Sequence, residues 1–154
     1  MQKLPAYLRP SAFLGGIIGL VLGFLLAIPI IQLFVVFVFF GIGAITVFML
    51  KQNHFMDSFE QKDGIIIGGV SGFVSIITAT ISFLALALIV GSIFAGTYDM
   101  IMAFFGSFSA FIVLCILIFC VAFMNMIFNM GSALLVVSLY GNVEKKEDKP
   151  QFKV

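Results

Sequence analysis

Polar and apolar positions divide this chain into a few very long apolar runs separated by short charged stretches. Residues 12 to 50 include no charged side chain, and the charged positions are Lys3 and Arg9, residues 51 to 63, Asp99 alone, and the tail from Glu144 onward. A single helix over 12 to 50 would be roughly 58 Å long, about twice the hydrocarbon thickness of a bilayer, so the run must fold back on itself. The reversal is expected at "AIPIIQ": Pro29 withdraws a backbone donor and disfavours helix in the residue before it, and Gln32 is the one strongly polar side chain nearby. The pattern predicts helices over about 12–28, 31–50, 64–90 and 100–140. Asp99 is expected as N-cap of the last helix, with tilt, a kink near Gly131 or an emerging final turn absorbing its excess length. Residues 51–63 form the polar connection. A short interfacial helix carrying Phe55 and Phe59 and a plain solvated loop fit it equally.

The fold class this implies is all-α: a polytopic membrane protein, one integral membrane domain over 1–154, with four transmembrane helices in two parallel-related hairpins. Composition agrees, with 62% apolar and 10% charged residues and a mean hydropathy of +1.25, far from the soluble range of about half apolar and a quarter charged. Lys3 and Arg9 precede the first apolar run without a small-x-small cleavage site, so the first helix is expected to be retained. With four helices, both termini and the 51–63 loop share one side, which carries all eight Lys and Arg residues. That bias predicts a cell-membrane protein with a cytoplasmic loop 51–63, a cytoplasmic tail 141–154 and both termini inside.

Within the apolar runs, one phrase is written twice. "GGIIGLVLGF" at 15–24 and "GIIIGGVSGF" at 64–73 match at seven of ten positions. Gly15, Gly19 and Gly23 are spaced by four, as are Gly64, Gly68 and Gly72; on a helix each set makes a groove that another backbone can enter. Because helices 1 and 3 enter from the same side, the reading is two duplicated hairpins packed through their glycine faces, about a pseudo-axis along the membrane normal. Helix 3 also carries a stripe of small and hydroxylated residues, Gly64, Gly68, Ser71, Ser75, Thr78, Ser82 and Ala85, at alternating spacings of four and three. Helix 4 offers Asn125, Asn129 and Ser132 at the same spacing. Amides in hydrocarbon need partners, so both asparagines should point into the bundle or between protomers.

Candidate chemistry is sparse. Proton-coupled transport and most intramembrane catalysis use acids, bases or histidines within the spans, and none is expected there; Asp99 reads as a cap. His54 is the sole histidine, too few for a metal site. Cys115 and Cys120, five apart in an apolar run, read as buried inert thiols. A net charge of +1 argues against a nucleic-acid partner. The expectation is a protein without catalytic residues, metal or cofactor, whose surroundings are the lipid bilayer and whose partners are copies of itself or other membrane proteins. The alternative is a passive channel or small-solute transporter whose path follows Ser71, Ser75, Thr78 and Ser82 with Asn125 and Asn129.

"GGIIGLVLGF", the Pro29 turn, "KDGIIIGG" and the late "NMGSALL" together resemble small glycine-rich four-helix membrane proteins of archaea and bacteria. The resemblance implies the four-helix fold and supplies no activity. "GGIIG" and the Phe, Ser and Thr of helix 3 are also similar to fluoride channels. The missing arginine after the first glycine motif, the missing asparagine in helix 2 and the one-sided charge set that family aside.

Overall fold

The computed structural model describes residues 6–53, 55, 60–93, 99 and 108–147. Regular structure among them is dominated by four long helices: α1 (Leu8–Leu25), α2 (Pro29–Gln52), α3 (Gln61–Ile93) and α4 (Phe108–Glu147). Each holds a segment long and apolar enough to cross a membrane, over Leu8–Leu25, Ile30–Gln52, Gln61–Val90 and Phe111–Tyr140. The chain is an all-α, multi-pass membrane protein whose environment is a lipid bilayer.

The first reversal falls where proline chemistry places it. Ile28 is extended (φ −99°, ψ 109°) and Pro29 opens α2, at a position whose N–H has no intrahelical partner in any case. Before it, Ala27 and Ile28 donate to Phe24 and Leu25, tightening the end of α1 in the i→i−3 manner. Helix α1 starts four residues earlier than expected because Pro10 stands in its first turn, where a missing donor is harmless. Helix α3 also starts early. The carboxyl of Asp63 in its first turn accepts the Glu60 N–H at 2.9 Å, half of a capping box. His54, Asp57 and Phe59 lie outside the described residues, as does the interfacial helix proposed for their stretch.

Helix α4 passes through Gly131 as one helical element and continues beyond the expected end at 140 to Glu147. Asp99 is itself helical and exposed, with residues 100–107 outside the described ones.

α1 packs parallel to α3, α4 packs antiparallel to α3, and α2 lies against α3 and α4; α1 and α4 do not meet among the described residues. Tyr7 pairs with Asp63, Gly15 with Ser71 and Gly19 with Ser75, an offset of 56. The repeated phrase has an offset of 49, seven residues or about two turns away. The two glycine rows therefore do not face each other, which corrects the expected packing. Gly15, Gly19 and Gly23 rest on Ser71, Ser75, Ala79 and Ser82, whereas Gly64, Gly68 and Gly72 rest on Val137, Ala133 and Asn129 of α4. Two empty grooves facing each other would leave a void without dispersion contacts; a groove against a ridge of small side chains leaves none.

Two apolar clusters flank this middle layer. Tyr7, Val47, Leu50, Ile67, Ala133 and Val137 form one toward the charged end, and Leu22, Val35, Phe39, Ile42 and Ala79 form the other. The first half of α4 is different. Phe111, Val113, Ile116, Leu117 and Phe119 are all exposed, and so are Cys115 and Cys120. The expectation of buried thiols is corrected: among the described residues this stretch is little covered, and its side chains are exposed.

Candidate functional site

Three backbones converge at one point near the middle of the bundle. A Cβ on Gly43 of α2 would lie on the Asn129 carbonyl oxygen and 3.1 Å from the Gly68 Cα. On Gly68 of α3 it would also lie on that oxygen, 2.8 Å from the Ala133 Cβ. Only glycine at 43 and 68 lets α2, α3 and α4 approach this closely.

Asn129 is fully buried there. Its Nδ2 donates to the Phe39 carbonyl at 2.8 Å and to the Asn125 carbonyl at 2.8 Å, and its Oδ1 accepts the Gly43 N–H at 2.6 Å. Phe39 C=O and Gly43 N–H are the two groups that an α-helix joins in one i→i−4 bond. The carboxamide thus presents a second peptide-like donor and acceptor to one rung of the α2 ladder, fixing both the register and the rotation of α2 against α4. One turn earlier, Asn125 donates from Nδ2 to the Gly72 carbonyl of α3 at 2.8 Å. The two asparagines come together as the spacing indicates, each clipping α4 to a different helix. Ser132 bonds back to the Asn129 carbonyl at 3.2 Å.

The hydroxyl stripe of α3 is a covered seam. Ser71 donates to Gly68, Ser75 to Gly72 at 2.9 Å, and Thr78 reaches Val74 and Ser75 at 3.0 and 3.1 Å, all carbonyls of their own helix. Ser82 alone of these reaches across, to Leu20 of α1 at 3.1 Å as well as to Ala79 at 3.0 Å. The glycine row of α1 lies directly on Ser71 and Ser75, both wholly buried. The stripe read as continuous is shared between two partners, Gly64 and Gly68 facing α4 and the hydroxyls facing α1, and Ala85 is exposed. Among the described residues no buried side-chain nitrogen or oxygen lacks a hydrogen-bond partner.

A second polar contact closes the charged end. Tyr7 Oη donates to Asp63 Oδ1 at 2.7 Å, and Ser11 Oγ donates to the Tyr7 carbonyl at 2.6 Å. Nearby, Lys51 of α2 lies over the Tyr140 ring of α4 at 4.0 Å, a cation–π contact. Burial first, then the hydrogen bond and charge of Asp63 and the charge of Glu60, push the Tyr7 hydroxyl up to about 12 from 10.0. The folded chain therefore keeps this proton at a pH where an unfolded chain has lost it. Its contribution to stability is complete below pH 10 and is lost as pH rises toward 12. Tyr7→Phe should lower stability by about 1–3 kcal/mol, since Asp63 Oδ1 loses its donor. Melts of both proteins in detergent should converge over that alkaline window; a difference independent of pH would remove this bond from the account.

Sequence reasoning missed Gly43, which stands in a phenylalanine-rich helix with few glycines, and missed Tyr7 with Asp63, the one lying before the first expected helix and the other in the polar connection 51–63. Among the described residues no three of His, Cys, Asp and Glu gather into a metal-binding group. The polar groups that do gather are amides and hydroxyls joined to backbone, an arrangement suited to holding helices in register. No family model, curated protein or solved structure matches the chain. What the described residues define is a class: a multi-pass membrane bundle whose four described spanning helices meet at close-packed glycines and buried asparagines.

Proposed function

We propose that this protein is a non-enzymatic membrane component that acts through helix packing, as a homo-oligomer or as a small subunit of a larger complex. In this reading it resides in the cell membrane with both termini cytoplasmic, as the one-sided distribution of its eight Lys and Arg residues supports. The observation that carries the reading is the covered seam. The intramembrane hydroxyls of α3 bond to backbone carbonyls beneath the glycine row of α1, which favours a dry structural interface over a conduit. The outward-facing phenylalanines of α2 and the first half of α4 offer surface for lateral association. Native mass spectrometry of the chain extracted in mild detergent from its own membrane tests this. A multiple of 16.8 kDa, or a mass that includes another subunit, is expected; the single chain alone would contradict it.

A further inference from the structure

Helices α1 and α2 stop where α3 and α4 continue. Contact between α1 and α3 runs from Tyr7 on Asp63 to Gly23 on Ala79, a length of about 24 Å. The two helices therefore lie nearly parallel, and Leu25, the last residue of α1, is level with Ile81. The apolar span of α3 runs on to Val90, about 13 Å further. In the other pair, Asn129 against Gly43 puts Pro29, the first residue of α2, level with Cys115. Helix α4 begins at Phe108, about 10 Å beyond that level. Contacts run from α1 to α3, α3 to α4, α4 to α2 and α2 to α1, with α2 also touching α3. The short pair thus forms one side of the bundle and the long pair the other.

At the end away from Lys51 and Lys62, the bundle has a step of about 10 Å, and its two levels need different surroundings. Above the step Leu88, Val90, Phe111, Ile112 and Val113 are exposed, and such side chains favour hydrocarbon over water. At the lower level Ala27 and Ile28 are exposed outside any helix, and Gln32 is an exposed polar side chain. Irregular backbone that faces lipid is not tolerated within the hydrocarbon. A flat bilayer satisfies one level and not the other.

We propose that this step acts on the bilayer itself: the leaflet at this end thins by about 10 Å along the α1–α2 side and keeps its full thickness along α3 and α4. Thinning brings phospholipid headgroups down to the reversal and to Gln32, the ordinary response to a span shorter than the hydrocarbon. The step is set by helix lengths and register, so it holds for a single chain as well as for an assembly.

The chain contains no tryptophan, so single tryptophans report depth through quenching by phosphatidylcholines brominated either near the headgroup or near the chain end. Ile30 on α2 and Ile116 on α4 are level by the Gly43 to Asn129 register and are 82% and 59% exposed. Ile116 shares a helix face with Phe119, whose ring packs on Phe73 of α3, and so stands on the α3 side of α4. In phosphatidylcholine vesicles, Ile30→Trp should be quenched more by the shallow bromines and Ile116→Trp more by the deep ones, a difference in depth of about 10 Å. Phe48→Trp and Leu135→Trp, close to one level near the charged end and both exposed, should agree in depth. Deep quenching of both Ile30→Trp and Ile116→Trp would mean a reversal submerged in a flat bilayer. Shallow quenching of both would mean that α3 and α4 project into water or into a partner. A control pair separated in the opposite sense would mean a rigid tilt. Each of these three results overturns the proposal.

Discussion

Gly68→Leu is expected to leave no native bundle. The first added carbon would fall on the Asn129 carbonyl oxygen, 2.7 Å from the Asn129 carbonyl carbon and 2.8 Å from the Ala133 Cβ. These are backbone and near-backbone atoms that cannot swing aside as the end of a long side chain can. Gly68→Ala alone should cost about 3 kcal/mol, the upper part of the usual overpacking range, and leucine adds three further carbons to a site with no room for one. Gly19→Leu should fail similarly, against the Ser75 backbone. The matched controls are other helical glycines. A Cβ on Gly16 would meet only side-chain methyl groups, at 3.7 and 3.8 Å, and one on Gly131 would meet nothing within 4 Å. Gly16→Ala and Gly131→Ala should be neutral or gain up to about 1 kcal/mol from helix propensity. Unfolding in detergent, followed by circular dichroism, reads all of these. Equal stability for Gly68→Ala and Gly131→Ala would mean that the close approach of α3 and α4 is wrong.

Asn129→Ala should be the most costly of the polar truncations. It removes the bonds to Phe39 and Gly43 that tie α4 to α2. Interhelical hydrogen bonds in membranes are worth about 0.6 kcal/mol on average and up to about 1.7, so a loss of about 1–3 kcal/mol is expected. The loss stays modest because Phe39 C=O and Gly43 N–H can pair with each other once the amide is gone. Asn125→Ala, which removes one bond to α3, should cost roughly half as much by the same values. Asn129→Asp separates hydrogen bonding from size. A carboxylate has nearly the shape of the amide but cannot donate to Phe39, and it would bring a charge into a fully buried position. It should be less stable than Asn129→Ala. If Asn129→Asp were the better tolerated of the two, Asn129 would matter as a spacer and not as a bond.

Much of this architecture is written locally. Pro29 breaks a run too long for one crossing, the charges mark the ends, and the four-residue glycine spacing announces close approach. Which backbone each groove receives is not written locally. It depends on the offset between α1 and α3, which Tyr7 with Asp63 and Gly15 with Ser71 set at 56, while the repeated phrase suggests 49. Gly43 escaped notice because Gly41 and Gly43, two apart after a phenylalanine run, do not share a helix face, and the role of Gly43 exists only once Asn129 arrives from a helix 86 residues away. Cys115 and Cys120 were misread for a related reason. In a membrane an apolar run says nothing about which positions face protein and which face lipid, since both surroundings are apolar.

The central claim is that the seam between α1 and α3 and the asparagine junction are dry. The most direct measurement is labelling of single cysteines at Ser71, Ser75, Thr78, Ser82, Asn125 and Asn129 with a water-soluble, membrane-impermeant thiol reagent. The background lacks Cys115 and Cys120, and a cysteine at exposed Gln61 serves as the reference. The account predicts protection at all six positions while Gln61 reacts. Labelling of Ser75 and Thr78 at rates near that of Gln61 would contradict it and put a hydrated path where a packed interface is described.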